Sequence, residues 1–169
     1  DEATWAAKTT AEFAAFDAIV FGDQPACFTS ATIWNTAVAT RDVWSLAVTG
    51  NVLVIGAAPE AHGKVQLIQQ GVLFTATGAG TGLYADLSCA YASSTGIVVP
   101  LLQGIGPFVA RGFGTLCVDS VKKVADHPTL AGITTASLSG GGCSAAEGFT
   151  AWPPGFTPLA IGLTGTVYQ

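Results

Sequence analysis

Charged residues, methionine and long apolar runs are scarce in this sequence, and each scarcity excludes a class of protein. Only 10% of the 169 residues are charged, and six Lys and Arg against eleven Asp and Glu give a net charge of −5. Nucleic-acid binding needs clustered basic residues, so this balance argues against a nucleic-acid partner. No run reaches the roughly 18 apolar residues of a membrane span. The closest candidate, residues 97–113, is interrupted by Pro100 and Arg111.

The apolar content is high for a soluble domain. Hydrophobic residues make up 50% of the sequence, and soluble domains average about 25% charged residues. Either much of the surface consists of small neutral side chains, or another polypeptide covers part of it. The length suits a single domain over residues 1–169. Because the sequence starts at Asp1 and contains no Met, we expect a processed product or a piece of a longer precursor.

The four cysteines, Cys27, Cys89, Cys117 and Cys143, are far apart, with no CxxC pair and no Cys–His cluster at metal-binding spacing. This spacing argues against zinc, and we expect neither a metal nor another cofactor. An even number of cysteines with few lysines suits an oxidising compartment. We therefore expect an extracellular or cell-surface protein with up to two disulfides, for which three connectivities exist. The alternative is four buried free thiols.

A short, continuous apolar run organises the predicted fold. Residues 49–63 contain a turn, this run and a glycine-bounded loop that carries Glu60 and His62. Continuous apolar runs are typical of buried parallel strands, and ligands bind beyond the carboxyl ends of such strands. Residues 16–23 form a second strand of this kind, which ends at Asp23. We therefore expect these three side chains at one edge of the sheet, with Asp23 and Glu60 as ligand-binding candidates.

The other predicted elements alternate in the same way. Thr9 and Glu12 resemble a capped helix start within residues 1–15. Further predicted elements are a helix over 29–48 that stops at Gly50, a helix over 64–70, a strand over 71–77, a helix over 83–92, an edge strand or extended connection over 97–102, a loop over 104–117, a helix over 119–125 and a strand over 159–163. This alternation predicts a three-layer α/β domain with a mostly parallel sheet and helices on both faces.

Glycines at positions 78, 80 and 82 form a turn before the predicted helix over 83–92. Such a turn can hold phosphate with its backbone N–H groups, which makes Gly80 a ligand-binding candidate. However, the spacing matches neither a dinucleotide-binding fingerprint nor a P-loop. Close packing of a strand against a helix is therefore the favoured explanation.

Few residues could carry acid-base chemistry. His62, Glu147 and His127 are the catalytic candidates, because a His–carboxylate pair can act as a general base and its orienting partner. Asp86 is a further candidate. The alternative for each histidine is a structural role, and His127, which precedes a proline, has the position of a loop anchor. Cys143 lies in a glycine-rich turn that suits a nucleophile, but no base is near in sequence, so a disulfide is favoured.

Aromatic residues cluster in the loops of the second half of the chain. Because aromatic side chains supply large contact areas at interfaces, these loops could form a binding or assembly surface. The alternative is a cover over the edge of the sheet. The residues concerned are Phe108, Phe113, Phe149, Trp152 and Phe156.

Four stretches follow one another along most of the chain: AEFAAFDAIVFGD, VTGNVLVIG with the following His62, ADHPTLAGIT, and GCSAAEGF before WPPGF. In this order they resemble the class I glutamine amidotransferase-like superfamily, and within it the trehalose-utilisation type of domain. The run His-Pro-x-x-x-Gly-Ile is a familiar mark of such domains. The resemblance implies a flavodoxin-like parallel sheet.

Two departures from the superfamily bear on function. Amidotransferases place a nucleophilic Cys in a strand-to-helix turn, and the corresponding turns here, IGAAPEAHG and ATGAGTG, contain none. The sequence also begins at what resembles the second strand, which implies that the first β-α-β portion is absent and that an edge or the centre of the sheet is open. Such an edge promotes association unless something covers it.

The function that we expect is that of a structural or interaction module without catalytic activity. It would join a larger assembly through the open sheet edge, with a protein partner or with further copies as a homo-oligomer or filament. The alternative is a hydrolase of the same superfamily, in which His62 and Glu147 would be the acid-base residues.

Overall fold

A three-stranded parallel sheet forms the centre of the computed structural model, which describes residues 1–23, 32–114, 117–164 and 167–168. Its strands, in spatial order, are β1 (Ala18–Phe21), β3 (Thr81–Asp86) and β2 (Val48–Ile55). Every residue of β3 is buried, whereas every residue of β2 remains partly exposed. The strand predicted around residues 52–55 is therefore present, but it is an edge strand rather than a buried one.

The helices of the described residues are short. They are α1 (Glu2–Ala6), α2 (Thr10–Phe13), α3 (Thr32–Ala39), α4 (Arg41–Trp44), α5 (Val65–Ala76) and α6 (Thr135–Leu138), with 3-10 turns at Ser45–Ala47, Pro100–Leu102 and Pro128–Leu130. The predicted cap at the start of α2 is confirmed. The hydroxyl of Thr9 accepts the backbone N–H of Glu12, and the Glu12 carboxylate accepts the backbone N–H of Thr9.

Helix α5 lies directly on the parallel sheet, and glycines permit the close approach. A Cβ atom added at Gly71 would lie 2.7 Å from the Tyr84 ring, and one added at Gly82 would overlap the carbonyl oxygen of Thr75. Glycine at such positions lets two backbones come closer than any side chain would allow. The turn with glycines 78, 80 and 82 predicted such close packing of a strand against a helix, and Gly82 is in contact with α5 in this way.

The other strands form two smaller antiparallel sheets. They are β4 (Ile97–Val98), β5 (Val109–Gly112) and β7 (Glu147–Ala151), in the order β4-β5-β7, and β6 (Val121–Lys123), β8 (Ala160–Thr164) and β9 (Val167–Tyr168), in the order β6-β8-β9. The described chain is thus an α/β protein. The prediction of a mostly parallel sheet holds for β1, β2 and β3 only.

The main hydrophobic core surrounds the buried indole of Trp44. Its N–H donates to the carbonyl oxygen of Ala37 (2.8 Å), and its ring contacts that of Phe21 with centroids 5.2 Å apart. Leu83 on β3 and Leu101 complete the same core from the sheet and from the segment after β4. A separate, smaller core joins β6 to α6 and consists of Val121, Leu130, Ile133 and Leu138.

The predictions for residues 71–92 were wrong. The predicted strand over 71–77 belongs to α5, and the predicted helix over 83–92 begins within β3. A short apolar run fits a strand and a buried helix equally well, which explains the first error. The second arose because Gly82 indicates a turn, whereas in the structure it lies within a strand where α5 leaves no room for a side chain.

Three boundaries also differ from prediction. The predicted loop over 104–117 contains β5, and the predicted helix over 119–125 contains β6. Both strands are short, and pairing with the distant β7 and β8 holds them in place. The helical segment predicted to stop at Gly50 ends before Val48, so Gly50 lies inside β2, where its Cα passes close to the backbone of Gly80.

We predict that Leu83→Ala lowers the free energy of unfolding by about 2–5 kcal/mol, because it removes a fully buried side chain from the central strand. Leu46→Ala is the matched control, since the Leu46 side chain is 69% exposed and should change stability by less than about 0.5 kcal/mol. Denaturant unfolding of both variants measures the difference. Equal losses would contradict the central position of β3.

Candidate functional site

Acidic side chains meet where the parallel strands end. Asp23 follows β1 by two residues, and Asp86 is the last residue of β3. The loop after β2 closes over this edge, because the backbone N–H of Ala61 donates to Oδ2 of Asp23 (2.9 Å). The structure thus brings Asp23 next to the loop that carries Glu60 and His62, which is the edge where the sequence places all three.

The carboxyl groups of Asp23 and Asp86 face each other in the protein interior. Oδ1 of Asp86 accepts the backbone N–H of Ser88 (2.7 Å), but Oδ2 of Asp86 and Oδ1 of Asp23 are buried without a protein donor. Burial raises the pKa of Asp86 to about 10, and the adjoining Asp23 carboxyl adds to the shift. Asp86 is therefore protonated near neutral pH, and its proton supplies the donor that the pair lacks.

The backbone of Ser88 adopts an unusual conformation that places its N–H next to this pair. Ser88 has a φ of 57°, the one positive φ of a non-glycine residue among those described. This left-handed conformation is costly for a residue with a side chain. It turns the Ser88 N–H back towards Asp86 and so satisfies one of the two buried carboxyl oxygens.

Glu147 is a third buried acid and lies at the start of β7. Its backbone N–H donates to the carbonyl oxygen of Gly56 (3.2 Å), just beyond the end of β2. Neither carboxyl oxygen has a hydrogen-bond partner of normal geometry among the described residues. Burial raises the pKa of Glu147 to about 8, and the nearby N–H of Tyr91 opposes the shift only partly. Glu147 is close enough to Asp86 to add to its pKa shift as well.

A cavity of about 730 Å³ lies beside the carboxyl cluster. Its walls are largely apolar, and Asp23 and Asp86 do not line it. The titratable side chains that line it are His62, Lys64, His127 and Glu147. Four of the five aromatic residues that predict a binding or covering surface line it too, namely Phe108, Phe149, Trp152 and Phe156.

The two histidines occupy different parts of this cavity wall. His62 lies beside the backbone of Gly141. The ring of His127 stands edge-on against Phe74 (centroids 4.8 Å apart), and its Nδ1 accepts the backbone N–H of Thr129 (3.3 Å), which caps the following 3-10 turn. No hydrogen bond among the described residues joins His62 to Glu147. His127 thus has the loop-anchoring contacts that its position before a proline indicates.

The remaining ligand-binding candidates lie on the surface. Glu60 is exposed in the loop after β2. Gly80 is exposed as well, has a φ of 86° and packs against the hydroxyl of Thr49. It leads into β3 rather than into a helix, so the turn lacks the helix N-terminus on which the phosphate interpretation depended.

A disulfide between Cys117 and Cys143 confirms part of the cysteine prediction. Cys89 is also disulfide-bonded, and Cys27 lies outside the described residues. The Asp119 carboxylate shapes the loop around Cys143, because its Oδ1 accepts the backbone N–H of Gly141 (2.9 Å) and that of Gly142 (3.0 Å). These hydrogen bonds lower the pKa of Asp119. Disulfides indicate an oxidising environment.

Two kinds of feature are missing from the part of the chain that the structure describes. No group of three or more His, Cys, Asp or Glu side chains there is arranged to hold a metal ion. No helix within the same residues has the length and apolar character to cross a membrane.

Sequence reasoning named every member of this cluster but not the contact between Asp23 and Asp86. The prediction placed Asp86 inside a helix over 83–92. It therefore did not place Asp86 at the edge where the parallel strands end. A buried apolar strand that terminates in an acid is the signal that could have revealed the contact.

Comparison with profiles of known protein families, with curated protein sequences and with solved structures gives no match for this chain.

We predict that Asp86→Asn makes stability less sensitive to pH. Unfolded Asp loses its proton near its ordinary pKa of 3.8, whereas folded Asp86 keeps it to about pH 10. The folded state therefore binds more protons over this interval, and the free energy of unfolding falls as pH rises, by up to about 1.4 kcal/mol per pH unit. Asn stays neutral and can donate to Asp23. The free energy of unfolding of the variant should therefore fall less steeply as pH rises.

Chemical denaturation from about pH 5 to about pH 9 measures these slopes. Asp42→Asn, at a side chain that is 84% exposed, is the control and should keep the wild-type slope. Identical slopes for the wild type and Asp86→Asn would show that Asp86 is ionised in the folded protein.

We predict that replacing both Cys117 and Cys143 by Ser lowers the free energy of unfolding by roughly 3 kcal/mol, because the unfolded chain regains the freedom that the cross-link removes. The two residues are 26 positions apart. Urea unfolding without reductant measures the loss relative to the wild type. An unchanged midpoint would mean that this disulfide does not form in solution.

Proposed function

We propose that the chain is an interaction module of a larger assembly, located outside the cell or at its surface, and that it has no catalytic activity of its own. The observation that carries this proposal is the outer edge of β2, with which no other strand of the described residues pairs. The proposal includes a flavodoxin-like architecture derived from the class I glutamine amidotransferase-like superfamily. The parallel sheet and the acids at its carboxyl edge support that origin, and the absence of Cys from the turn after β2 supports the lack of amidotransferase activity.

The hydrogen bonds of β2 identify which backbone groups are free. The N–H of Leu87 donates to the carbonyl oxygen of Ile55 (2.9 Å), so Ile55 directs its backbone towards β3. Backbone direction alternates along a strand, so Leu53 also points inward, while Val52 and Val54 point outward. No backbone hydrogen bond from another described segment reaches the outward groups of these two valines.

The large cavity runs along this free edge. Every residue from 50 to 59 lines it. Successive residues of a strand point to opposite faces of the sheet, so a cavity that touches all of them follows the edge of β2 and not one face. Unpaired strand edges beside apolar surface are sites at which polypeptides associate.

The compartment is inferred from the cysteines. Cys117, Cys143 and Cys89 are disulfide-bonded, and disulfides persist mainly in oxidising environments. Together with the low charge content, they support a protein that acts in an assembly outside the cell or on its surface.

A hydrolase is the second candidate, because one observation favours it. His62 and Glu147 line the same cavity, and burial raises the pKa of Glu147 to about 8. A protonated carboxyl group with a raised pKa can act as a general acid. Against this candidate, no hydrogen bond among the described residues joins the two side chains.

Replacement of His62 separates the two candidates. We predict that His62→Ala leaves association unchanged, with complexes heavier than the 17.0 kDa chain observed by native mass spectrometry at increasing protein concentration. A hydrolase would instead lose turnover of p-nitrophenyl ester and glycoside probes in His62→Ala and in Glu147→Gln. His127→Ala is the control for general damage to the cavity wall. A 17.0 kDa monomer at every concentration, together with turnover that depends on His62, would overturn the proposal.

A further inference from the structure

The start of β7 covers the far end of the outer edge of β2. The carbonyl oxygen of Ile55 accepts the N–H of Leu87, which follows β3, so the carbonyl of the next residue, Gly56, points away from β3. That carbonyl oxygen accepts the backbone N–H groups of Ala146 and Glu147, both at 3.2 Å. These two residues therefore occupy the continuation of the edge that is free along β2.

The contact between Gly56 and the start of β7 is close, but its hydrogen bonds are long. A Cβ atom added at Gly56 would overlap the backbone carbonyl oxygen of Glu147, so a glycine is needed for β7 to approach this far. N–H···O bonds in proteins are commonest at about 2.9–3.0 Å, whereas the two bonds here are longer and share one acceptor. The backbone bonds are thus weak, and the Glu147 side chain can decide whether they persist.

The Glu147 side chain lies in the protein interior beside this contact. It is 3% exposed, and both of its carboxyl oxygens are buried without a hydrogen-bond partner of normal geometry among the described residues. No Lys, Arg or His of those residues forms an ion pair with it. An ionised carboxyl group is unfavourable in such a place. The closed contact therefore favours the protonated form of Glu147.

The titratable groups nearest to the Glu147 carboxyl are themselves acids. Asp86 approaches it from the end of β3, and Tyr91 approaches it from the segment that follows β3. Burial is the main cause of the raised pKa values of Asp86 and Tyr91, and Glu147 adds to both shifts. A negative charge on Glu147 would therefore meet groups that resist a further negative charge.

The other elements around Glu147 place no cation against it. On β5 its partner is Gly112, so Arg111 of that strand is directed to the opposite face of the sheet. Strand β8 also contacts β7 and contains no titratable residue. Glu60 and His62 lie in the loop after β2, and no hydrogen bond or ion pair among the described residues joins either of them to Glu147. The ionised side chain can be stabilised only by water.

We propose that residues 146–147 form a pH-dependent clasp over the end of the outer edge of β2, which is closed while Glu147 is protonated and opens when Glu147 is ionised. This inference rests on the proposed function, because it names how access to the association edge is regulated. When the clasp opens, Glu147 reaches water and the carbonyl of Gly56 becomes free. The free edge then extends past Ile55, so association should strengthen as the clasp opens.

The pH range of the clasp follows from the two environments of the carboxyl group. In the open clasp Glu147 lies in water with its ordinary pKa of 4.5, whereas burial in the closed clasp raises the pKa to about 8. The closed clasp therefore binds more protons than the open one between these two values. Its opening equilibrium should grow by up to about tenfold per pH unit over this interval and level off above it.

Amide hydrogen exchange between about pH 5 and about pH 7.5 tests the clasp. The observed rate of each amide is divided by the rate of an unfolded chain at the same pH, which removes the intrinsic pH dependence. We expect the protection of the Ala146 and Glu147 amides to fall about hundredfold or more over this range. The Leu83 amide, in the centre of the doubly paired β3, reports global unfolding and should remain better protected at every pH.

Two substitutions hold the clasp in opposite states. Glu147→Gln cannot ionise, so the protection of the two amides should change less than about threefold over the same range. Gly56→Ala places a methyl group where the carbonyl oxygen of Glu147 lies, so the same amides should be unprotected already at the lower pH. Glu60→Gln is the matched control, because it removes the charge of an exposed glutamate in the neighbouring loop, and it should follow the wild type. Thermal unfolding verifies that the variants fold, and Glu147→Gln decides alone if Gly56→Ala does not.

Native mass spectrometry at the same two pH values connects the clasp to association. The fraction of complexes heavier than the 17.0 kDa chain should rise with pH in the wild type and in Glu60→Gln. It should be high at both pH values in Gly56→Ala, whose edge stays uncovered. In Glu147→Gln it should stay at the level that the wild type shows at the lower pH.

The exchange and association results judge different statements. Protection of the Ala146 and Glu147 amides that is equal at both pH values, or that falls as far in Glu147→Gln as in the wild type, would overturn the clasp. A clasp that opens while association of the wild type does not change would overturn its regulatory role and leave the proposed function standing. Absence of association in every variant at both pH values would overturn the proposed function, and the exchange results would still decide whether the clasp exists.

Discussion

The burial of β3 is the constraint on which the rest of the structure depends. This strand pairs on both sides and is covered by α5, so all its residues, including the terminal Asp86, are removed from water. A charge in such a place costs several kcal/mol unless it is paired or neutralised. Here the charge is avoided, because Asp86 keeps its proton and shares it with the neighbouring Asp23. The backbone N–H of Ser88, which has a positive φ, also donates to Asp86. The protonated state of Asp86 is thus a consequence of the burial of the strand that it ends.

Sequence patterns predicted the elements that depend on local signals and missed those that depend on distant contacts. The cap at Thr9, the strand that ends near Asp23 and the loop that carries His62 follow from short-range patterns and are present. Strand β3 was missed because Gly82 has a turn-like sequence, and only the packing of α5 explains its place in a strand. Strand β6, which lies within the predicted helix over 119–125, was missed because pairing with the distant β8 determines its conformation.

The candidate site was predicted to a similar degree. The position of Asp23 beside the loop of Glu60 follows from the rule that carboxyl ends of parallel strands meet at one edge. The burial of Glu147 could not be predicted, because it depends on how closely the start of β7 approaches Gly56. The cavity could not be predicted either, because segments far apart in sequence, residues 50–59 and 154–162, line it together.

The strand order also determines when the sheet can form during synthesis. Among the described strands, β1 and β2 pair only with β3, which follows both of them in the chain. Neither can complete its hydrogen bonds until residue 86 has left the ribosome, and domains of this kind are exposed to misassembly while they wait. The nascent chain therefore presents two strands without partners until β3 has been synthesised.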